Sequence, residues 1–302
     1  SYFGDDELRR ILAELDKRFV VRRDAEITLE ANPGDLNYDR LTAFRQVGVN
    51  RLSIGIQSFQ DSLLHTIGRR HNARQAIDTV VAAQKAGFTN LSIDLMYGLP
   101  NQTMEQWKED IHTALGLNIQ HISCYCLSYE EGTLLSQLRD RSEVKELDDD
   151  TLNMMYDTLC DELTGNGFQH YEVSNFALPG YHSRHNSSYW NNTPYIGLGP
   201  AAHSYDGKTR SWNISDLDSY IAGIQQNRRP YEYEELSADE CKEERIMLGL
   251  RTMWGIKKEW VADKLPVVNK YVENGLLSIH DEQITATQKG LHILNRIIED
   301  LI

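Results

Sequence analysis

The sequence is poor in positive charge and contains no long apolar run. Lys and Arg together number 31 against 45 Asp and Glu, so the formal net charge at pH 7 is −14. Nucleic-acid-binding proteins usually carry a basic face, so this balance argues against a nucleic-acid partner. No segment approaches the roughly 20 apolar residues of a membrane span, and no signal peptide is visible. We therefore expect a cytoplasmic protein, whose contact with a membrane would be peripheral.

The sequence also has few cysteines and no phosphate-binding loop. The four cysteines, Cys124, Cys126, Cys160 and Cys241, lack the spacing of a disulfide framework. Cys124 and Cys126 alternate in a strand-like run, so we expect both side chains on one face and buried. Neither a Gly-x-Gly-x-x-Gly nor a Walker motif is present. The 302 residues suffice for a barrel-sized domain and a smaller one.

The first half of the chain alternates strand-like runs with helical patterns. The runs lie at 27–30, 52–57, 91–95 and 121–127. A helix is expected from Asp5, others near 37–47 and at 73–86, and one after Thr103, which forms a predicted capping box with Gln106. This alternation predicts an α/β fold with parallel crossovers. An open doubly wound sheet and a complete or partial (β/α) barrel both fit.

Polar residues end three of these runs, namely Glu30, Gln57 and Asp94. Ligands of parallel α/β folds bind at the carboxyl ends of the strands. The three side chains therefore form a candidate site. Alternatively, each caps the turn that follows it.

The second half of the chain has a different character. Residues 131–150 are polar and predict a surface connection that caps a helix at 151–165, and a strand follows at 171–173. Residues 174–213 predict a long irregular segment, rich in aromatic residues and histidine, which is usually functional. A helical pattern returns from Leu236, and 268–302 predict a helix, a hairpin and a helix, as in a winged-helix module. Its face is not basic, so we expect a structural or partner-docking role.

Several motifs together resemble a known family. They are TLEANP at 28–33, SIGIQSF at 53–59, DLMYGLP at 94–100 and GLGPAAHS at 197–204. These resemble radical S-adenosylmethionine (radical SAM) enzymes of the oxygen-independent coproporphyrinogen III oxidase class. The resemblance implies a partial (β/α) TIM-type barrel with a small C-terminal α+β winged-helix-like domain. We expect the barrel at 1–170, a segment closing it at 171–235 and the C-terminal domain at 236–302.

Two further motifs resemble the HemW group of heme chaperones within that class. They are YEVSNFA at 171–177 and HNSSYW at 185–190. The resemblance implies that His185 is a candidate ligand of heme iron, and Tyr189 and Trp190 could stack on the porphyrin. It also implies heme as a ligand and a heme-acceptor protein as a possible partner. Alternatively, His185 only caps or hydrogen-bonds a loop.

The resemblance also implies cofactors. Glu30, Gln57, Arg69 and Asp94 match positions that hold S-adenosylmethionine in the family, which also carries a [4Fe–4S] cluster on a Cys-x-x-x-Cys-x-x-Cys loop. That cysteine triplet is absent from this sequence, as is a Gly-Gly-Thr-Pro turn. We expect that an N-terminal segment and a piece between Gly4 and Asp5 are missing from the sequence. The region between Asp263 and Val267 is also short compared with the family.

Three functions follow from these observations. The first is a HemW-like heme chaperone that binds heme, a [4Fe–4S] cluster and S-adenosylmethionine. The second is an oxygen-independent coproporphyrinogen III oxidase, which decarboxylates its substrate oxidatively. The third is a relative without a cluster that binds a partner. The HNSSYW motif favours the chaperone.

Overall fold

The computed structural model describes residues 3–302, which form two compact units divided between His182 and Ser183. Ser1 and Tyr2, where the sequence predicts part of a strand end, lie outside the described residues. Phe3 and Gly4 are not in a strand. The first helix begins at Asp5 as predicted, and the Gly4 carbonyl accepts from the Leu8 amide at 3.2 Å. The missing piece expected between Gly4 and Asp5 stays a prediction.

The first unit is built on a six-stranded sheet in the order β1-β2-β3-β4-β6-β5. Its strands are β1 (Thr28–Ala31), β2 (Arg51–Gln57), β3 (Leu91–Tyr97), β4 (His121–Cys126), β5 (Gln169–Glu172) and β6 (Asn175–Ala177). The four strands β1 to β4 are parallel neighbours, whereas β6 pairs antiparallel with both β4 and β5. The α/β class and the parallel crossovers are thus confirmed.

Helices precede, connect and follow the parallel strands of this unit. They are α1 (Asp5–Arg18), α2 (Tyr38–Gln46), α3 (Asp61–Thr66), α4 (Ala73–Lys85), α5 (Met104–Gly116), α6 (Leu134–Asp140) and α7 (Asp149–Gly165). The predicted capping box of α5 is confirmed, because the Thr103 side chain accepts from the Gln106 amide and the Gln106 side chain accepts from the Thr103 amide. Asp148 caps α7 by accepting from the Thr151 amide at 2.9 Å.

One face of the sheet forms the apolar core against the helices. Ile54 and Ile93 alternate with polar residues along their strands and are fully buried, as are Phe44 of α2 and Trp107 of α5. Because successive side chains of a strand point to opposite faces, the residues between these apolar positions line the other face. That second face is polar, and it carries the first candidate site.

The sequence did not predict every element of this unit. Helices α3 and α6 and strand β6 were missed, and α6 lies inside the polar surface connection expected at 131–150. Cys124 is buried as predicted, but Cys126 is exposed, so that expectation is wrong for Cys126. The cause is its place as the last residue of β4, whose final two residues are exposed.

The second unit contains two small antiparallel sheets. Its elements are α8 (Arg184–Trp190), β7 (His203–Tyr205), β8 (Thr209–Asn213), α9 (Leu217–Gln225), β9 (Tyr231–Glu235), α10 (Ala238–Gly249), β10 (Ile256–Lys257), α11 (Leu265–Glu273), β11 (Leu277–His280), β12 (Gln283–Ala286), α12 (Gln288–Leu291) and α13 (Leu294–Leu301). The sheets have the orders β7-β8-β9 and β10-β12-β11. The predicted helix, hairpin and helix at the C-terminus are confirmed. The prediction that 174–213 is irregular is wrong, because these residues form one helix and three strands. The domain boundaries expected after residues 170 and 235 stay predictions.

Candidate functional site

A row of polar side chains crosses the polar face of the six-stranded sheet. The register pairs Glu30 with Ser53, Asp94 with Ser123, and Asn175 with both Ser123 and Glu172. Residues paired in register point to the same face. We call this set the polar row: Glu30, Ser53, Asp94, Ser123, Asn175 and Glu172.

Asp94 lies at the middle of the polar row. The Ser53 hydroxyl donates to its Oδ1 at 3.3 Å, which ties β2 to β3. Burial raises the pKa of Asp94 to about 6, a hydrogen bond with Ser123 opposes the rise, and the nearby Glu30 carboxylate adds to it. Two carboxyl groups thus share this part of the sheet and favour a ligand that supplies hydrogen-bond donors or positive charge.

Gln57 ends β2 in an unusual backbone conformation, at a shift in the register of the sheet. Its φ is +73°, and the register with β3 shifts between Gly55 and Gln57. A positive φ is uncommon outside glycine and often marks a functional position. A Cβ added to Gly55 would lie 3.0 Å from the Gln57 amide nitrogen and 3.7 Å from Asn32 Oδ1. Gly55 therefore leaves room where the Gln57 and Asn32 amides converge.

Arg69 completes this cluster from the segment after α3. Its Nη1 donates to Asn32 Oδ1 at 3.3 Å. Burial lowers the pKa of the Arg69 guanidinium, and the Asp94 carboxylate opposes that effect. The structure therefore brings the predicted residues Glu30, Gln57, Arg69 and Asp94 together around one place. The sequence reasoning missed Asn32, Ser53 and Gly55, although Asn32 stands directly in the TLEANP motif.

The far end of the polar row holds a buried carboxyl group. Glu172 is only 2% exposed and accepts hydrogen bonds from the Asn175 side chain and the Ser174 amide. Burial raises the pKa of Glu172 to about 7, although the two hydrogen bonds act to lower it. The row thus ends in an acid that is partly protonated near neutral pH.

A second buried polar layer lies beside the row. The His121 ring lies between the Ser92 hydroxyl, 2.7 Å from Nδ1, and the Tyr171 hydroxyl, 2.8 Å from Nε2. Burial lowers the pKa of His121 well below its usual range, so the ring is neutral. Both ring nitrogens are satisfied by these hydroxyls, and we assign this layer a structural role.

The HNSSYW motif forms most of helix α8 in the second unit. The Ser183 hydroxyl caps the helix by accepting from the Asn186 amide at 3.3 Å. His185 and Tyr189 stand one turn apart, and His185 Nε2 lies 3.0 Å from the Tyr189 hydroxyl. Both side chains are exposed, with Tyr189 exposed by 41%. The predicted His185 and Tyr189 therefore form a preassembled, accessible pair.

Trp190 occupies a different place from that pair. It lines a cavity of about 390 Å³ together with Trp254, Trp260 and Arg245, and neither His185 nor Tyr189 is in that lining. Residues one position apart on a helix do not share a face. The geometry therefore does not indicate that Trp190 stacks on a porphyrin bound at His185.

A larger groove lies on the β7-β8-β9 sheet of the second unit. Its volume is about 670 Å³, within the range of small-molecule sites, and Tyr195, Tyr231 and Tyr233 contribute to its lining. The Arg229 guanidinium stacks 4.1 Å from the Tyr231 ring centroid and donates to Ser211 Oγ at 2.8 Å. Tyr195 also meets the Tyr189 ring edge-on, with centroids 4.7 Å apart. No sequence pattern had singled out Arg229.

The part of the chain that the structure describes holds neither a metal-binding cluster nor a membrane-spanning helix. Across residues 3–302, no group of three or more His, Cys, Asp or Glu side chains is arranged to hold a metal ion. Within the same residues, no helix is both long enough and apolar enough to cross a membrane.

Comparison with known proteins agrees with these observations. The model of the Radical SAM superfamily matches residues 2–114, and that of the HemN C-terminal domain matches residues 236–293. The chain is 33% identical to the heme chaperone HemW of Bacillus subtilis over 97% of its own length and 80% of that protein. It is 34% identical to HemW of Lactococcus lactis over 100% of its own length and 82% of that protein. The chain belongs to the HemW family of radical SAM proteins.

A solved structure shares the fold of this HemW-family chain. It is coproporphyrinogen III oxidase (HemN) from Escherichia coli, described as a radical SAM enzyme. The TM-score is 0.82 at 22% identity, over 99% of this chain and 75% of that one. At that identity the likeness shows the fold, and it confirms the predicted radical SAM fold class.

Membership of the radical SAM superfamily implies S-adenosylmethionine and a [4Fe–4S] cluster as cofactors. The polar face fits the first, because two carboxyl groups, two amides and a guanidinium surround the space beside Gly55. The cysteines of the described chain do not fit the second, because they form no metal-holding group. No chemical step is assigned through the cluster.

Proposed function

We propose that this chain is a heme chaperone that binds heme on its second unit and S-adenosylmethionine on its first. The observation that carries the proposal is the His185–Tyr189 pair, exposed on a capped helix inside the HNSSYW motif. The curated relatives that share most of their length with this chain are named heme chaperones. An acceptor protein for the heme and a cytoplasmic location belong to the same proposal.

S-adenosylmethionine would be held by the four predicted residues of the first unit. Glu30 and Asp94 would accept hydrogen bonds from the ribose hydroxyls or the ammonium group, and Gln57 could donate or accept. Arg69 would pair with the carboxylate of the ligand, because a guanidinium favours such an anion. Asn32, bonded to Arg69 at 3.3 Å, would orient that guanidinium.

Heme would be bound at α8, where His185 and Tyr189 face the ligand. Tyr195 extends this aromatic surface from Tyr189 towards the groove of about 670 Å³. There the Arg229 guanidinium offers a cation for a propionate. Trp190 was predicted to stack on the porphyrin, but its place in the Trp254 cavity does not support that role.

The oxidase remains the alternative, favoured by the shared fold with coproporphyrinogen III oxidase. A delivery assay separates the two functions. Heme-loaded protein is mixed with the apo form of a b-type heme protein, and recovery of the holo spectrum is followed against free heme. We expect delivery by the loaded chain and no consumption of coproporphyrinogen III. Consumption of that substrate with release of carbon dioxide, or failure to deliver heme, would contradict the proposal.

A further inference from the structure

The turn that follows β2 is buried together with its polar groups. Gln57 is 6% exposed, Phe59 is 8% exposed and Ser58 is fully buried. Buried backbone N–H groups and hydroxyls need hydrogen-bond partners. Because β2 ends at Gln57 and α3 begins at Asp61, the groups between them lie outside regular secondary structure. Their partners come from side chains of other segments.

Asp110 of α5 is the partner of two of these groups. Its Oδ2 accepts from the Ser58 hydroxyl at 2.7 Å, and its Oδ1 accepts from the Phe59 amide at 2.8 Å. Asp110 is fully buried, and burial raises its pKa to about 6, although both hydrogen bonds act to lower it. The group is therefore mostly a carboxylate at neutral pH, and hydrogen bonds to a carboxylate are stronger than those between neutral groups.

His71 holds the chain on the other side of Gln57. Its Nε2 lies 3.0 Å from the carbonyl oxygen of Ile56, and its ring is buried. A carbonyl oxygen can only accept, so Nε2 carries the proton and donates it. His71 follows Arg69 by two residues. The segment that supplies the Arg69 guanidinium therefore also holds the end of β2.

Gln57 thus lies between two buried anchors, with His71 on the residue before it and Asp110 on the two residues after it. Its φ of +73° is unfavourable for any residue except glycine. Such a conformation persists only where the surrounding structure enforces it. Relaxation of φ would turn the Gln57 side chain away from the space beside Gly55, where its amide lies.

We propose that Asp110 is a positioning residue of the S-adenosylmethionine site, which acts through Ser58 and Phe59 to keep Gln57 in its binding conformation. The inference rests on the proposed function, since it assumes that this ligand binds beside Gln57. Asp110 is fully buried and does not reach the ligand itself. Apparent affinity scales with the fraction of molecules that hold the binding conformation, and loss of Asp110 lowers that fraction.

Calorimetric titration with S-adenosylmethionine tests the inference, at a pH well above the pKa of Asp110. Asp110→Ala removes both contacts with the turn. Asp110→Asn keeps an oxygen for the Phe59 amide and offers an N–H to the Ser58 hydroxyl, so it is the conservative rescue. Ile111→Ala is the matched control, because Ile111 is the next residue of α5, equally buried and apolar. Its truncation weakens the same helix without removing a hydrogen bond of the turn.

Asp110→Ala should bind the ligand about tenfold more weakly, whereas Asp110→Asn and Ile111→Ala should bind within about twofold of the wild type. Urea unfolding confirms that the titrated variants are folded. The decisive readout is a double-mutant cycle with Gln57→Ala. In that background Asp110→Ala should lower affinity by less than about twofold, because the residue through which Asp110 acts is already gone. A purely structural role would give the same loss in both backgrounds.

Three results would overturn the inference and leave ligand binding by the first unit intact. They are wild-type affinity in Asp110→Ala, an equal loss in Ile111→Ala, and a full loss from Asp110→Ala in the Gln57→Ala background. If Asp110→Ala does not fold, Ser58→Ala replaces it in the titration and the cycle, and wild-type affinity there overturns the inference. Failure of the wild type to bind S-adenosylmethionine would instead refute the proposed function of the first unit, and the inference with it.

Discussion

Asp94 is the residue whose ionisation should control the first site. Its pKa is raised to about 6 by burial, so it loses its charge as the pH falls through that value. A protonated Asp94 is a poorer acceptor for the ammonium or hydroxyl groups of S-adenosylmethionine. We predict that affinity for this ligand is constant above pH 7 and falls by up to about tenfold per pH unit below pH 6.

Isothermal titration calorimetry between pH 5 and 8 measures this dependence. Asp94→Asn should bind weakly at every pH and show a flat profile over the same range. A wild-type profile that is equally flat would disprove control by Asp94.

Gly55 is the second residue whose substitution should change binding of S-adenosylmethionine. A methyl group there would lie 3.0 Å from the Gln57 amide, which must move away from the shared space. Gly55→Ala should weaken binding of S-adenosylmethionine by roughly tenfold while changing the free energy of unfolding by less than about 1 kcal/mol. Gly116→Ala is the control, because nothing lies within 4 Å of a Cβ at that position. Equal affinities of both variants would show that the space beside Gln57 is not used.

Glu172 should make stability depend on pH. Its folded pKa is about 7 against a reference value of 4.5, so the folded state keeps the proton longer than the unfolded chain. Below pH 4.5 the two states bind this proton equally, and stability falls as the pH rises from there to about 7. The slope from this group approaches 1.4 kcal/mol per pH unit at most.

Urea unfolding of the wild type and Glu172→Gln at pH 5 and 7.5 measures that slope. The variant should lose less stability between the two values than the wild type. An identical loss in both proteins would mean that Glu172 ionises normally.

Sequence patterns predicted the residues of the first site but not their partners. Glu30, Gln57 and Asp94 stood out because each ends an apolar run. Ser53 and Ser123 did not, because their roles depend on the register that sets them beside Asp94. Register follows from packing of the whole sheet and is not readable from one strand.

Among the elements, helix α5 is stabilised by an N-terminal capping box that the sequence predicted. Both hydrogen bonds of the Thr103–Gln106 capping box are present. Thr103→Ala leaves the Gln106 amide without its acceptor and should lower the free energy of unfolding by about 1 kcal/mol. Thr103→Ser keeps the hydroxyl and should cost much less. Chemical denaturation compares the three proteins, and equal stabilities would show that water replaces the cap.

Helix α8 shows why one functional element was not predicted. Its seven residues carry no periodic apolar stripe and none of them is buried. Helix prediction from periodicity needs such a stripe over a longer window. The Ser183 cap and the His185–Tyr189 hydrogen bond stabilise the helix instead. The clear stripe of α4 gave a prediction correct to within one residue. Helix α2, with Leu41 and Phe44 buried, was also predicted to within one residue at each end.

At the scale of the whole molecule, the two proposed ligands belong to different units. The first unit carries the polar row, and the second carries α8 and the winged-helix-like end of the chain. Each site is assembled from residues of its own unit.

The central claim is that the second unit binds heme through the His185–Tyr189 pair. The most direct test is an equilibrium titration of the chain with ferric heme, followed by absorbance, beside His185→Ala and the control His203→Ala. We predict saturable binding of one heme per chain, a loss of about tenfold or more in affinity for His185→Ala, and wild-type affinity for His203→Ala. Wild-type affinity in His185→Ala, or no saturable binding by the wild type, would contradict the account.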